Sequence, residues 1–372
     1  METKNPHDAL FLTLDGIRGL AAGAVVVIHN ILFWGMASDA PAIPFAVDVF
    51  LVISGFVIAF AYEPRFKEGM SPLGFMRQRF IRLYPLYLVG VIAGGLVLMV
   101  AAFGDVRQMT SLVISAFPAF LMLPSPPMNE WGDLYPLNVP AWTLCFELVV
   151  NLIYVLLWKR LTVPVLMLLV AAGGAALVAL TLASGHLDMG PDWSSVGGGL
   201  ARAVFGFFMG VLLYRLTGSP RTAPRKQSWL ALPALIVVPV LTFLPDVHIA
   251  RPIVELALVC VVGPVLALWG VSMQPPRATA RVIAWIGAIS YALYVLHYPL
   301  YQAIKRVAGR FPELYESYAP WSGMAILALS VGVAAFAAHV LDGPMRRWLS
   351  ARLTRKAAPA QELLRDPAAV DG

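Results

Sequence analysis

The sequence has few charged residues and almost no cysteine. Only 13% of its 372 residues are charged, whereas 59% are hydrophobic and the mean hydropathy is +0.75. Because roughly a quarter of the residues in a soluble domain are charged, this composition excludes an ordinary soluble protein. The two cysteines, Cys145 and Cys260, lie in separate apolar runs. This placement argues against a disulfide and favours packing roles for both.

Several familiar signals are also missing. The stretch METKNPHDA before the first apolar run has no charged n-region or cleavage site, so we expect no removable signal peptide. There is no P-loop, GxSxG motif, dinucleotide fingerprint or metal-ligand pair at helical spacing, and we therefore expect no bound metal. The net charge of +6 comes from basic residues in short loops, which argues against nucleic acid as a partner.

The sequence has instead a series of apolar runs, each long enough to cross a membrane. They predict an all-α, polytopic transmembrane bundle over residues 1–350, in the inner or plasma membrane, followed by a flexible cytoplasmic tail over 351–372. The ten predicted spans are 15–34, 44–61, 83–102, 140–158, 162–184, 200–216, 228–245, 252–271, 283–304 and 321–341.

An eleventh apolar run, 110–123, is short, contains Pro118 and is followed by LPSPP. If this run does not cross, the main basic clusters all face the cytoplasm, as membrane topology favours. If it crosses, four of these clusters move outside. We therefore predict a re-entrant or outer-surface helix and cytoplasmic termini, although Lys305, Arg306 and Arg310 then lie outside.

Ionisable side chains inside apolar spans are the strongest functional signal, because they are costly in a membrane and normally face the protein interior or a wet cavity. Hydrogen bonding between helices, structural pairing and, for the last of them, a place in the interfacial aromatic belt remain alternative roles. Four such side chains are expected at one depth near the outer surface: His29, Asp48, Glu147 and His297.

Basic side chains gather at the predicted cytoplasmic end of the first and third spans. Asp15 and Arg18 are three residues apart, so they share a helix face and can pair. Arg79 and Arg82 have the same spacing and are expected at the level of Arg18. Guanidinium groups bind phosphates through paired hydrogen bonds, which suits a phosphorylated donor from the cytosol, although topology alone also explains these residues.

Five segments together resemble the acyltransferase 3 family of membrane O-acyltransferases. The resemblance implies ten transmembrane helices, a cytosolic acyl-CoA donor and an acceptor, usually a sugar, modified at or beyond the outer face. Some members carry a C-terminal esterase-like domain; this chain ends too soon for one and would act alone or pass its acyl group to a separate extracytoplasmic transferase. The segments, in order, are LDGIRGLAAGAVVVIH, AVDVFLVISGFVIA, RQRFIRLYPLYL, WTLCFEL and IGAISYALYVLHYPL.

The motifs of this family also carry roles to individual residues. His29 matches its first-helix histidine, and Glu147 matches the acid of its W-[ST]-L-x-x-E segment. The family pattern departs here at Cys145, where serine is frequent, and at LVVNLIY, where an aromatic-rich run is common. The Arg79-x-x-Arg82 pair matches the arginines of the family, and Asp15 and Arg18 match its LDGLRG opening.

These observations predict an O-acyltransferase that moves an acyl group, acetyl by default, from acyl-CoA to a hydroxyl of a sugar-containing acceptor. The acceptor is an envelope polysaccharide, a lipid-linked oligosaccharide, peptidoglycan or a glycosylated metabolite. His29 is expected to act as base or acyl carrier, oriented by Asp48 or Glu147. The donor is expected at Arg79, Arg82, Arg18 and Asp15, and the acceptor at His297, Asn151 and Trp142.

Two other classes of protein remain possible on the sequence alone. A transporter or flippase of lipid-linked sugars would use the buried histidines and carboxylates as a proton relay. A non-enzymatic membrane assembly factor is the other. Transporters built from repeats show related broken helices in their two halves, and no such pattern occurs in this sequence. Besides the acceptor and acyl-CoA, membrane lipid is the expected partner.

Overall fold

The computed structural model describes residues 11–33, 43–127, 129, 131–218, 226–243, 250–311, 317–318 and 320–354, so most of the predicted tail lies outside the described residues. These ranges are mainly helical. Two short strands, β1 (Lys226–Gln227) and β2 (Met273–Gln274), pair in parallel. The helices are α1 (Leu12–Phe33), α2 (Ile43–Lys67), α3 (Pro72–Ala101), α4 (Val106–Phe120), α5 (Trp142–Leu157), α6 (Val163–Ser184), α7 (Val196–Thr217), α8 (Ala231–Thr242), α9 (Arg251–Ser272), α10 (Arg277–Ala308) and α11 (Trp321–Leu353).

Nine of these helices are long and apolar enough to cross a membrane, which confirms the polytopic helical bundle. The remaining predicted span, 228–245, corresponds to α8, whose 12 residues cover about 18 Å, less than the roughly 30 Å of a hydrocarbon core. Strand β1 precedes α8, and its partner β2 follows α9. Therefore α8 begins at the end of the bundle where α9 finishes. The chain runs away from this end along α8 and returns to it along α9.

Strand β2 also caps the first helix. The backbone N–H of Leu12 donates to Gln274 Oε1 at 3.2 Å, and the Thr13 hydroxyl donates to the carbonyl of Met273 at 2.6 Å. The first N–H groups of a helix have no partner within the helix, so these contacts fix where α1 begins. We call this end of the bundle, predicted to be cytoplasmic, the inner end and the opposite end the outer end.

Helix α4 does not connect the two ends, as the sequence predicts for 110–123. It follows α3 at the outer end and packs back along it, with the Tyr87 hydroxyl donating to the carbonyl of Ala119 at 2.7 Å. The segment after α4 meets the loop between α6 and α7, where the Trp193 indole donates to the carbonyl of Ser125 at 2.9 Å. The chain thus lies at the outer end both before and after α4.

Helix α1 lies in the middle of the bundle, against α2, α8, α9, α10 and α11, while α2 packs tightly on α7. A Cβ added at Gly55 would lie 1.9 Å from the carbonyl oxygen of Phe207, and one at Gly210 would lie 2.0 Å from that of Val52. Only glycine allows the backbones of two helices to approach this closely. These contacts fix the register of α2 against α7.

Helix α3 begins eleven residues before the predicted span at 83. Ser71 caps it by accepting a hydrogen bond from the N–H of Gly74, and Pro72 occupies the first helical turn, where proline is favoured. Arg79 therefore lies about 10 Å, and Arg82 about 15 Å, along the helix from its start. Both arginines therefore lie within the helix and not in a loop before it.

Candidate active site

A cavity of about 140 Å³ lies between α1, α2, α3, α5 and α10. Its wall changes in character along its length. Towards the outer end the wall is apolar, with Val47, Phe50, Leu51 and Leu144. Towards the inner end charged or polar side chains join the apolar Val57 and Ile58: Arg18, Ser54, Arg79, Arg82, Glu147 and Ser290.

The three arginines of this wall differ in their partners. Arg18 pairs with Asp15 at 3.0 Å, as the sequence predicts. Arg79 donates to Glu147 through one terminal nitrogen, and its Nε has no partner among the described residues. Arg82 is exposed to the cavity and makes no hydrogen bond or ion pair to a described residue. It is therefore the cation in this wall that is available to an anionic ligand.

Glu147 contacts Arg79 of the arginine cluster, a pairing that the expected layers, with Arg79 at the cytoplasmic end and Glu147 near the outer surface, did not predict. Its Oε1 accepts hydrogen bonds from Arg79 and from the Ser54 hydroxyl, the latter at 2.9 Å. The reason is the early start of α3, which carries Arg79 far enough into the bundle to reach α5. Glu147 therefore holds Arg79 in place, and a role for Glu147 in orienting His29 stays a prediction.

Asp48 is also engaged by an arginine. Arg202 Nε lies 3.0 Å and 3.3 Å from the two carboxylate oxygens, and both residues are 1% exposed. The terminal nitrogens of Arg202 donate to the carbonyls of Met189 at 2.6 Å and Pro44 at 3.2 Å. The expected pairing of Asp48 with His29 therefore differs from the structure, in which Asp48 neutralises a buried cation.

Two residues predicted to bind the acceptor do not line the cavity. The Trp142 ring lies 5.1 Å from the guanidinium carbon of Arg202 and covers the buried ion pair. Asn151 is fully buried, and neither of its amide atoms has a hydrogen-bond partner among the described residues. A role in acceptor binding stays a prediction for both.

The two histidines of the predicted outer layer do meet. His297 Nε2 lies 3.4 Å from His29 Nδ1, and the ring centroids are 5.0 Å apart. His297 is 1% exposed, whereas His29 is partly exposed and has Tyr298 edge-on against it at 5.9 Å. The pair thus has one buried member and one accessible member.

Tyr294 connects this pair to the cavity, and the sequence alone does not single it out. It lines the cavity, and its ring centroid is 6.1 Å from that of His297 and 5.8 Å from that of Phe50. Its hydroxyl lies 3.0 Å from Thr143 Oγ1. Phe50 and Tyr294 therefore form the wall between the cavity and the histidine pair. One signal was present: Tyr294 precedes His297 by three residues, which places them on one helix face.

The carboxylates that act on His29 from the outer side come from loops. Asp188, between α6 and α7, is exposed, and its charge interacts with His29. Asp133 interacts with Tyr298, which packs on His29. Partial burial and the nearby charge of Asp192 raise the pKa of Asp133 to about 6. The sequence analysis gave these residues no role, because they lie between the predicted spans.

Helix α11 contributes a further ion pair at the inner end of the cavity. Arg346 pairs with Asp342 one turn earlier, and the charges of both act on Arg82. In the sequence these residues indicate only topology, because basic residues are expected at the cytoplasmic boundary. The arginine cluster therefore draws on three helices, α1, α3 and α11.

Comparison with known proteins shows the family of the chain. An acyltransferase domain model matches residues 11–340. "Acyltransferase MdmB" of Streptomyces mycarofaciens is 27% identical over 381 residues, covering 93% of this chain and 94% of that protein. "Protein 2 in picA locus" of Rhizobium radiobacter is 35% identical over 184 residues, covering 45% of this chain and 93% of that protein. No solved structure matches significantly. The chain belongs to the acyltransferase 3 family and is a multi-pass membrane acyltransferase.

Proposed function

We propose that this enzyme transfers a short acyl group, acetyl by default, from acyl-CoA at the inner end to a hydroxyl of a sugar-containing acceptor near His29. The observation that carries the proposal is the cavity. At one end it has Arg82, which has no ion-pair partner among the described residues, and at the other end it is lined by Phe50 and Tyr294, of which Tyr294 packs against His297.

The donor end suits a phosphorylated molecule. Arg82 and Arg79 present guanidinium groups into the cavity, and guanidinium groups bind phosphate through short, charge-assisted hydrogen bonds. The apolar end, around Val47 and Phe50, suits an acyl chain. The whole cavity has a volume of about 140 Å³, well below the roughly 300 Å³ of a small ligand pocket. This volume favours a short acyl group over a long one.

His29 is the proposed reacting side chain. As general base, its imidazole takes the proton of the acceptor hydroxyl while the oxygen bonds to the thioester carbon. The carbon–sulfur bond then breaks, and coenzyme A leaves as the thiolate, which the imidazolium protonates. As acyl carrier, the imidazole nitrogen attacks the thioester carbon, the carbon–sulfur bond breaks and coenzyme A leaves as the thiolate. The acceptor hydroxyl then attacks the acyl carbon, the carbon–nitrogen bond breaks, and the hydroxyl proton passes to the thiolate. A path from the cavity to His29 requires Phe50 or Tyr294 to turn aside.

The acceptor is proposed to approach from the outer end. His29 is partly exposed there, beside Tyr298 and within the electrostatic influence of Asp188. Carboxylates accept hydrogen bonds from sugar hydroxyls, and an aromatic ring offers an apolar face to a sugar ring. Envelope polysaccharide, lipid-linked oligosaccharide, peptidoglycan and glycosylated metabolites all present such groups.

The proposal is tested by supplying acetyl-CoA and extracted glycans or glycosides to membranes that contain the protein. Free coenzyme A thiol and an acetylated product of matching mass are expected together. A transporter of lipid-linked sugars would release no thiol, and that result would overturn the proposal. Mass spectrometry of glycans and glycosides from cells with and without the gene then identifies the acceptor.

Arg82→Ala is expected to raise the KM for acyl-CoA about ten- to hundred-fold with a smaller effect on kcat. A hydrogen bond to a charged group contributes about 1.5–3 kcal/mol, and each 1.4 kcal/mol is about a tenfold change in affinity. Arg82 is the cleaner target, because Arg79→Ala also leaves Glu147 without its partner. The measurement is initial-rate kinetics with acyl-CoA varied.

The control for this variant is Arg277→Ala, which removes an exposed arginine from the start of α10 at the same end of the bundle. Its KM should equal that of the unmodified enzyme. Equal KM values for the two variants would place the donor phosphates elsewhere.

A further inference from the structure

We propose that His297 is a positioning residue that fixes the tautomer of His29, so that Nε2 of His29 is the nitrogen that takes the proton or the acyl group. This inference rests on the proposed role of His29. It is drawn from three contacts of the two rings, which agree on one arrangement of hydrogens.

The first contact concerns His29 itself. Its Nδ1 lies 2.9 Å from the carbonyl oxygen of Val25, one turn earlier on α1. A carbonyl oxygen only accepts hydrogen bonds, so this contact favours the tautomer with the hydrogen on Nδ1. A neutral imidazole has a single ring N–H, and therefore Nε2 of His29 has a free lone pair.

The second contact gives His297 the same tautomer. Its Nδ1 lies 3.1 Å from the carbonyl oxygen of Leu293, one turn earlier on α10, so this nitrogen also carries the hydrogen. The lone pair of His297 is then on Nε2. Because His297 is 1% exposed, water does not readily compete for either nitrogen.

The third contact joins the two rings. The Nε2 lone pair of His297 lies 3.4 Å from His29 Nδ1, whose N–H it can share with the Val25 carbonyl. If the hydrogen of His29 moved to Nε2, the bare Nδ1 would face a carbonyl oxygen and a second lone pair. Both acceptors therefore oppose the other tautomer.

The carbonyl contact alone does not distinguish His29 from other helical histidines. His339 on α11 makes the same contact, with Nδ1 2.8 Å from the carbonyl of Ala335, and is exposed. His29 differs in having a second, buried acceptor. This acceptor also stabilises the imidazolium, since Nδ1–H becomes a stronger donor once Nε2 is protonated. His297 thus does for His29 what the carboxylate does for histidine in hydrolase triads.

Asp48 and Glu147, the two carboxylates that the sequence analysis expected to orient His29, have other partners. Asp48 pairs with Arg202 and Glu147 with Arg79, so neither is free to accept from His29 Nδ1. A neutral acceptor is also cheaper to keep inside a membrane protein than an unpaired anion. A buried histidine therefore meets both requirements.

The kinetic test compares His297→Gln with His297→Leu. The amide oxygen of glutamine can accept from His29 Nδ1–H, whereas leucine fills the volume without an acceptor. We expect His297→Leu to lower kcat about 100-fold or more at unchanged KM for acyl-CoA, and His297→Gln to stay within about tenfold of the unmodified enzyme. His339→Leu is the matched control and should change neither parameter. Equal kcat in the two His297 variants would overturn the inference.

A second measurement does not depend on activity. In 15N-histidine-labelled protein in membranes, ring-nitrogen NMR should show His29 as the Nδ1–H tautomer, with its signal identified by its loss in His29→Gln. His297→Leu should add the Nε2–H tautomer. An Nε2–H tautomer of His29 in the unmodified protein would overturn the inference. Absence of coenzyme A release would instead refute the proposed function, so the two failures are distinguishable.

Discussion

His29→Gln is expected to abolish acyl transfer while the protein still accumulates in the membrane. Glutamine keeps the length of the side chain and an amide that can donate to the Val25 carbonyl, but it has no basic nitrogen. A positioned general base contributes about 10²–10⁴-fold to a rate, and an acyl carrier cannot be replaced at all. The measurement is coenzyme A release per folded enzyme, with folding followed by size-exclusion chromatography.

The control is His339→Gln, which removes a histidine with the same local contact on α11. It should retain the full rate. A His29→Gln enzyme as fast as this control would show that His29 has no part in the chemistry.

The timing of coenzyme A release by the unmodified enzyme separates the two proposed roles of His29. If the imidazole carries the acyl group, mixing excess enzyme with acetyl-CoA should release about one equivalent of coenzyme A before acceptor is added. If it acts as base, coenzyme A release should wait for the acceptor. In either case His29→Gln should lack the fast phase that the unmodified enzyme shows with donor and acceptor together.

The helices could be predicted from the sequence, because an apolar run of membrane length is a direct consequence of burial in lipid. The start of α3 was missed for a related reason. Hydropathy places the start of the third span at 83, after the basic stretch. The Ser71-Pro72 pair, which is typical of a helix start, nevertheless lies in the sequence before it. A helix continues through its arginines when the protein interior supplies partners for them. That error alone displaced Arg79 and Glu147 from each other in the prediction.

The meeting of His29 and His297 was predictable in depth, because chain direction and helix rise fix the level of each residue. The partner of Asp48 could not be predicted, because the rotation of a helix about its own axis depends on how the helices pack. Arg202 lies inside the predicted run 200–216, and a buried arginine requires an acid. Which acid it finds is decided by the close glycine contact at Gly210, which hydropathy does not reveal.

Asp48→Asn is expected to destabilise the protein by about 3–5 kcal/mol, the cost of removing one partner of a buried ion pair. Arg202 would keep neutral acceptors, among them the carbonyls of Met189 and Pro44, but no negative charge beside it, while remaining 1% exposed. Thermal unfolding can be followed by the reaction of a thiol dye with Cys145 and Cys260, both unpaired and partly buried. The midpoint should fall clearly below that of the unmodified protein.

Glu63→Gln is the matched control, because Glu63 pairs with Arg215 across the same two helices, α2 and α7, at 2.8 Å. These side chains are 10% and 18% exposed, so water can partly solvate the arginine that is left unpaired. A smaller fall in the midpoint is expected. An equal fall in both variants would mean that burial does not set the cost at Asp48.

The double variant Asp48→Leu with Arg202→Met decides whether Asp48 acts in structure or in catalysis. Replacing a buried ion pair by apolar side chains of similar volume is often neutral or stabilising, so the unfolding midpoint should recover. Because Asp48 contacts Arg202 and not His29, the recovered protein should also transfer acyl groups at close to the normal rate. A stable but inactive double variant would return Asp48 to the catalytic role that its sequence position suggested. Activity measured on stable protein is what separates the two roles, since loss of activity in Asp48→Asn alone follows from either.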